Sequence, residues 1–175
     1  MKTKINILLV FILWSLTVCS NTLKEGDIVF QISKSKQSPL VQYATISPWS
    51  HCGVIIEKDN KLYVLEASNV VKLTPFQKWK ERGRFGIVKS RRVCKKPVHI
   101  KYKQYLGIPY DLQFKFNNGK YYCSELVYCI YRDQLGIELC KPKQINEYNT
   151  LGLHKAMAKR HIKKTQLVVA PCDII

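Results

Sequence analysis

The chain has 175 residues, 29 Lys and Arg against 12 Asp and Glu, a formal net charge of +17 and 46% apolar residues. That length suits one domain with a real core and calls for no second folding unit; no repeat, low-complexity tract or Pro/Gly/Ser linker divides it. The charge favours anionic surroundings such as cell-wall polymers or lipid headgroups, whereas specific nucleic-acid recognition is not expected, because no nucleic-acid module motif accompanies the basic residues.

The N-terminus carries Lys2 and Lys4, an apolar run from Ile7 to Trp14, and small or polar residues through Ser20. This pattern predicts a secretory signal over 1–20, cleaved after Ser20, with the protein exported to a periplasmic or extracellular space. Lipidation of Cys19 is the alternative, and the domain then spans 21–175. Six cysteines remain beyond that leader: Cys52, Cys94, Cys123, Cys129, Cys140 and Cys172. Their scattered spacing is not that of a disulfide scaffold, and their pairing stays open. No Cys-x-x-Cys or closely spaced His pair suggests zinc, so neither metal nor cofactor is expected.

Gly26 to Phe30 reads as a first strand, and Ser38-Pro39 opens a helix through Ala44 with serine as its cap. His51–Glu57 and Lys61–Glu66 form two apolar-rich strands around a Lys58-Asp59-Asn60 turn, hence a hairpin. Thr74-Pro75 begins a helix to about Glu81, Gly86–Ser90 suggests a strand, and Val98–Leu106 a helix ended by Gly107-Ile108-Pro109. Cys123 opens a buried helix running to Gly136, because apolar residues recur at 126, 127 and 130. Short helices are expected over 142–164 and a last strand over 166–170. Antiparallel strands with segregated helices place the chain in the α+β class.

A cysteine at a helix start meets unpaired amides and the positive end of the helix dipole, which favour a thiolate, the nucleophilic species. Taken alone, Cys123 reads rather as a small core residue. The hairpin changes this. With Asp59-Asn60 as a two-residue turn, Glu57 faces Leu62 and Ile55 faces Val64, so His51 and Glu66 share a face as diagonal neighbours about 7–8 Å apart. A turn one residue longer or shorter would put them on opposite faces. A thiol, a base to take its proton and a group to orient that base are what nucleophilic attack on a carbonyl requires. Cys123, His51 and Glu66 supply one of each, whereas His99, His154 and His161 lie in less ordered settings.

At these residues the chain resembles the circularly permuted papain-like amidases of the YiiX type, related to NlpC-type cell-wall peptidases and to lecithin retinol acyltransferase. Five segments carry the likeness in order: Gly26-Asp27-Ile28-Val29-Phe30, Ser50-His51-Cys52-Gly53-Val54, Leu65-Glu66-Ala67, Gly107-Ile108-Pro109-Tyr110-Asp111 and Tyr122-Cys123-Ser124-Glu125-Leu126-Val127. The resemblance implies a permuted papain-like fold, an antiparallel sheet packed on helices with the nucleophile at a helix N-terminus. It also implies Cys123 as nucleophile, His51 as base and later acid, Glu66 as its orienting partner, and Tyr110 in the substrate site. Residues 141–175 match its motifs poorly and read as an embellishment that shapes substrate choice. The densest basic cluster, Lys155, Lys159, Arg160, Lys163 and Lys164, lies there, and a solvated helix face explains it as well as an anion site does.

The expected activity is a secreted cysteine hydrolase that cleaves an amide in a cell-wall peptide, an N-acyl amino acid or a lipid through an acyl-enzyme on Cys123. The rival is a non-catalytic module that holds anionic envelope material on its basic surface. Neither reading sets an oligomeric state.

Overall fold

A computed structural model describes residues 22–175, so the leader expected over 1–20 and the alternative anchor at Cys19 lie outside the described residues. A five-stranded antiparallel sheet organises the protein. It comprises β1 (Ile28–Ser33), β2 (His51–Lys58), β3 (Lys61–Ala67), β4 (Val71–Pro75) and β5 (Gly83–Arg91), in the spatial order β4-β3-β2-β1-β5. Helix α1 (Ser38–Thr45) joins β1 to β2, and α2 (Phe76–Arg82) joins β4 to β5. Helix α3 (Cys123–Leu135) follows a long irregular segment, and α4 (His154–Lys159) lies between two short paired strands, β6 (Lys143–Gln144) and β7 (Leu167–Val168). The α+β class and the antiparallel sheet packed on helices stand as expected.

The central strand has an apolar run rather than an alternation because both of its faces are covered. Cys52, Val54 and Ile56 join Leu126, Val127 and Ile130 of α3 in the main core, while Ile55 faces the other way and meets Val29, Val64 and Trp79 of α2. Each fully buried aliphatic side chain contributes roughly 1.5–3 kcal/mol relative to exposure. The sheet is thus the middle layer, with α3 on one side and α2 on the other.

Asp59 and Asn60 form the β2–β3 turn in the left-handed conformation, at φ 50° and 56°. The register follows from it: Glu57 pairs with Leu62, Ile55 with Val64 and Val54 with Leu65. A Cβ on Gly53 would lie 2.4 Å from Val64 Cγ1 and 2.7 Å from the Leu65 carbonyl oxygen. Glycine therefore permits close approach of the two strands two residues after His51.

The structure departs from these expectations in three places. Val98–Leu106 is not a helix; only Lys103–Tyr105 makes a 3-10 turn. Its amides bond to side chains instead of to the preceding turn, Ile100 N–H to Glu25 Oε1 at 2.8 Å and Lys101 N–H to Gln134 Oε1 at 2.8 Å. Ile100 is fully buried, so one anchoring residue and two tertiary hydrogen bonds replace an amphipathic face. Strand β4 was not anticipated, because Val71–Pro75 alternates too briefly to stand out before the helix signal at Pro75. Gln37, not Ser38, caps α1; the Ser38 hydroxyl instead meets the Ser50 hydroxyl at 2.6 Å.

Candidate active site

Cys123 is the first residue of α3, which ends at Gly136 in the left-handed conformation (φ 65°). Tyr122 caps the helix in an extended conformation, and its amide donates to Glu125 Oε2 at 3.3 Å. The same turn clasps the C-terminal segment, for Val169 N–H donates to the Tyr122 hydroxyl at 3.0 Å and the Ser124 hydroxyl donates to the Val169 carbonyl at 2.7 Å. Burial raises the Glu125 pKa to about 8, against the opposing bond from the Tyr122 amide. This carboxyl is therefore mostly protonated at neutral pH and adds little negative charge beside the thiol.

His51 begins β2, and its Nε2 lies 2.6 Å from Glu66 Oε2 on β3. The hairpin thus brings this diagonal pair into direct contact on the α2 face. Glu66 is fully buried and accepts three further bonds, from Thr74 Oγ1 at 2.5 Å, from Trp79 Nε1 at 3.1 Å and from the Arg82 guanidinium. A carboxylate offers about four acceptor sites, so this one is fully satisfied and fixed in place. The His51 ring lies 6.1 Å from the Trp79 ring, tilted by 31°, which closes the α2 side of the imidazole.

With Nε2 committed to Glu66, the Nδ1 edge of His51 is left for Cys123, which lines the same cleft. Cys52 sits in the α3-side core with Cys123, so the thiol meets the sheet where β2 begins. The Cys52 side chain hydrogen-bonds to Cys123 and, together with the His51 hydrogen bond and charge, outweighs burial to hold the Cys123 pKa well below that of an ordinary thiol. The Cys52 backbone adds a further bond in the same direction. Burial pushes the Cys52 thiol itself well up, so it stays a neutral donor.

Burial acts to lower the His51 pKa, but hydrogen bonds to Cys123 and Glu66 and their negative charges raise it to about 9. Burial likewise acts to raise that of Glu66, and the bonds and charges of His51, Thr74 and Arg82 bring it to about 2. These shifts all favour the charged forms, a thiolate, an imidazolium and a carboxylate in series. Such an arrangement can attack an electrophilic carbonyl and protonate a leaving group without a metal ligand set.

Tyr110 occupies the opposite side of the site. Asp111 beside it is buried and accepts the amides of Gln113 at 2.8 Å and Lys115 at 2.5 Å, which folds the 110–115 segment and turns Tyr110 into the same cleft as His51 and Cys123. Burial raises the Tyr110 pKa far above the usual phenol value, with the Cys123 charge acting the same way. Its hydroxyl is thus a neutral hydrogen-bond donor in the cleft that Cys123 lines.

The cleft has a volume of about 730 Å³ and a predominantly apolar lining. Helix α1 provides Leu40 and Val41, and the C-terminal region provides Leu153, Met157, Ile162 and Val168. Residues 145–171 are therefore part of the site wall, not an appendage to it. Thr74, Trp79, Arg82 and Cys52 escaped the reading of the sequence. Trp79 and Arg82, three apart on α2, present a shared face, and that spacing was the available signal.

An antiparallel sheet whose strand-borne His–Glu pair meets a cysteine at a helix N-terminus defines a papain-like thiol site, with the cysteine after the histidine in chain order. The chain belongs to the family of permuted papain-like amidase enzymes, the YaeF/YiiX or C92 family, whose model matches residues 22–171. That span covers most of the C-terminal region, which corrects its reading as an embellishment. The chain is 35% identical over 159 residues to YiiX of Escherichia coli K12, a protein described as uncharacterized, covering 83% of this chain and 78% of that one. It is also similar to the crystal structure of YiiX from Escherichia coli O157:H7, with a TM-score of 0.80 and 33% identity over 87% of this chain and 91% of that one. That protein is described as a metalloprotein. Among the described residues of this chain, no group of three or more His, Cys, Asp or Glu side chains is disposed to hold a metal ion.

Proposed function

We propose that the protein is a thiol amidase that cleaves the amide bond of a long-chain N-acyl compound. The observation that carries this reading is the apolar cleft between α1 and the C-terminal region, whose wall includes Cys123 and His51. Its volume lies within the range of about 300–1,000 Å³ usual for small-molecule sites, and its aliphatic lining suits a hydrocarbon chain better than a charged wall peptide.

In the proposed reaction the Cys123 thiolate attacks the amide carbonyl carbon. The backbone N–H of Cys123, at the open end of α3, is placed to donate to the developing oxyanion. His51 gives its Nδ1 proton to the amide nitrogen as the C–N bond breaks, so the amine leaves and the acyl group remains as a thioester. Neutral His51 then takes a proton from water, the resulting hydroxide equivalent attacks the thioester, and the carboxylic acid departs as the thiolate and imidazolium re-form. Glu66 holds the imidazole in orientation and stabilises its charge throughout.

Incubation of the pure protein with N-palmitoylethanolamine or with a muropeptide, followed by acid quench and intact mass measurement, tests this function. A palmitoyl adduct on Cys123, absent in Cys123→Ala, is expected. An adduct from the muropeptide alone would assign the cleft to cell-wall peptides. Free amine release undiminished in Cys123→Ala would remove the thiol from the reaction.

A further inference from the structure

The C-terminal basic cluster divides in two. Lys155, Lys159, Lys163 and Lys164 are exposed, whereas Arg160 is half-buried and lines the cleft. Its guanidinium lies 6.0 Å from the Phe114 ring centroid, and Nη1 donates to Gln37 Oε1 at 3.4 Å. Phe114 in turn stands edge-on to Tyr122, the residue before Cys123, with ring centroids 5.2 Å apart. One aromatic ring thus separates Arg160 from the residue that caps the nucleophile's helix. Tyr110, Cys123 and Arg160 all line this one cleft.

Besides His51 and Cys123, the other charged groups lining this cleft are Lys34, Lys72, Glu81 and Arg82. Arg82 is bound to Glu66, and Lys34 donates to the Glu81 carbonyl at 3.2 Å. Arg160 forms no ion pair among the described residues, although it is held by a ring and an amide. A planar guanidinium kept in place without an anion retains donors for an incoming oxyanion. The groove between α1 and α4 has a matching polarity. Arg160, just past α4, meets Gln37, just before α1, while the Asn149 amide, five residues before α4, bonds to the Ala44 carbonyl near the other end of α1, so the chain from 149 to 160 runs counter to α1. Arg160 stands at one end, and Leu153 lies toward the other.

We propose that Arg160 binds an oxyanion carried by the substrate's head group, a carboxylate or a phosphate, while the acyl chain lies along the α1–α4 groove. Within the amidase reading, on which this assignment rests, the preferred substrates are N-acyl compounds with an anionic amine portion. Arg160 is then a specificity residue. Its neighbours in sequence serve only as general surface charge.

Binding and turnover separate the two ideas. In the full-length Cys123→Ala protein, affinities are measured by calorimetry for N-palmitoylglycine, N-palmitoylethanolamine and N-palmitoylphosphoethanolamine. Arg160→Gln should weaken the preferred anionic ligand about 10- to 100-fold, the span expected for lost hydrogen bonds to a charged group, and leave the neutral ethanolamine unchanged. Arg160→Lys should recover part of the loss, while Lys159→Gln, which removes the same charge outside the cleft, should change nothing. Comparing the two anionic ligands in the parent assigns carboxylate or phosphate. Equal losses for neutral and anionic ligands, an equal effect of Lys159→Gln, or no anionic preference in the parent would each overturn the assignment. Turnover of the neutral amide with Cys123 intact tests the amidase reading independently.

Discussion

The two walls of the cleft are built differently. The wall carrying His51 and Glu66 consists of regular strands with fully buried side chains, and every acceptor of Glu66 is occupied. The facing wall, from α1 and residues 145–171, is made of short helices and irregular segments, tied to the start of α3 by Tyr122 and Ser124 with Val169 and to the strands by Ser38 with Ser50. Proton transfer tolerates little displacement, so the groups proposed for it belong where the fold is most constrained. Binding a flexible chain requires shape and apolar surface, which shorter elements can supply.

That contrast explains how much was legible in the sequence. His51 and Glu66 could be paired because strand parity is a local rule, set by the Asp59-Asn60 turn and repeated every two residues. The α3 start was legible from helical spacing for the same reason. The Glu66 cradle was not, since Thr74, Trp79 and Arg82 reach the carboxylate through a strand pairing and a helix packing that no local pattern specifies. The failed helix at Val98–Leu106 follows the same logic, because its amides are satisfied by Glu25 and Gln134, both distant in sequence. Arg160 and the exposed lysines around it look alike in sequence; only tertiary packing separates them.

If the strand wall holds the chemistry, the largest effect should come from Glu66→Gln. The substitution keeps the shape but removes the charge that helps raise the His51 pKa to about 9. Loss of roughly 10²–10⁴-fold in kcat is expected, by analogy with removal of the third group in other triads. The alkaline limb of the kcat/KM profile, set by loss of the imidazolium proton near pH 9, should shift to lower pH. Stability should respond in the opposite range. Because folding lowers the Glu66 pKa from 4.5 to about 2, its contribution is present above pH 4.5 and disappears as pH falls through about 2. His51, raised from 6.5 to about 9, contributes below pH 6.5 and loses that contribution as pH rises through about 9. Unfolding of Glu66→Gln should lack the acid-side dependence, and an unchanged alkaline limb would detach Glu66 from His51.

Gly53→Ala tests the constraint without touching a titrating group. The new methyl would meet the Val64 side chain and the Leu65 carbonyl, and backbone cannot yield as a flexible side-chain end can. A loss of about 1–3 kcal/mol in chemical denaturation is expected, as for overpacking elsewhere. Reduced alkylation of Cys123 by iodoacetamide should accompany it, since the strain lies two residues from His51. Unchanged stability would mean that β2 and β3 separate more easily than their burial implies.

Ser38→Ala probes how the second wall is fastened to the first. The Ser38 hydroxyl meets Ser50 Oγ at 2.6 Å, and Ser50 Oγ accepts the Ser33 amide at 2.9 Å, which ties the start of α1 to the end of β1 and to the residue before His51. Losing one buried hydroxyl pair costs about 1 kcal/mol, while the Ser33 amide keeps its acceptor. The expected outcome is a small fall in stability with a rise in KM for a long-chain substrate and little change in kcat, because α1 carries Leu40 and Val41 of the apolar lining but none of the proposed catalytic groups. If kcat fell and KM held, the two walls would act as one unit, and the division between chemistry and chain binding would fail.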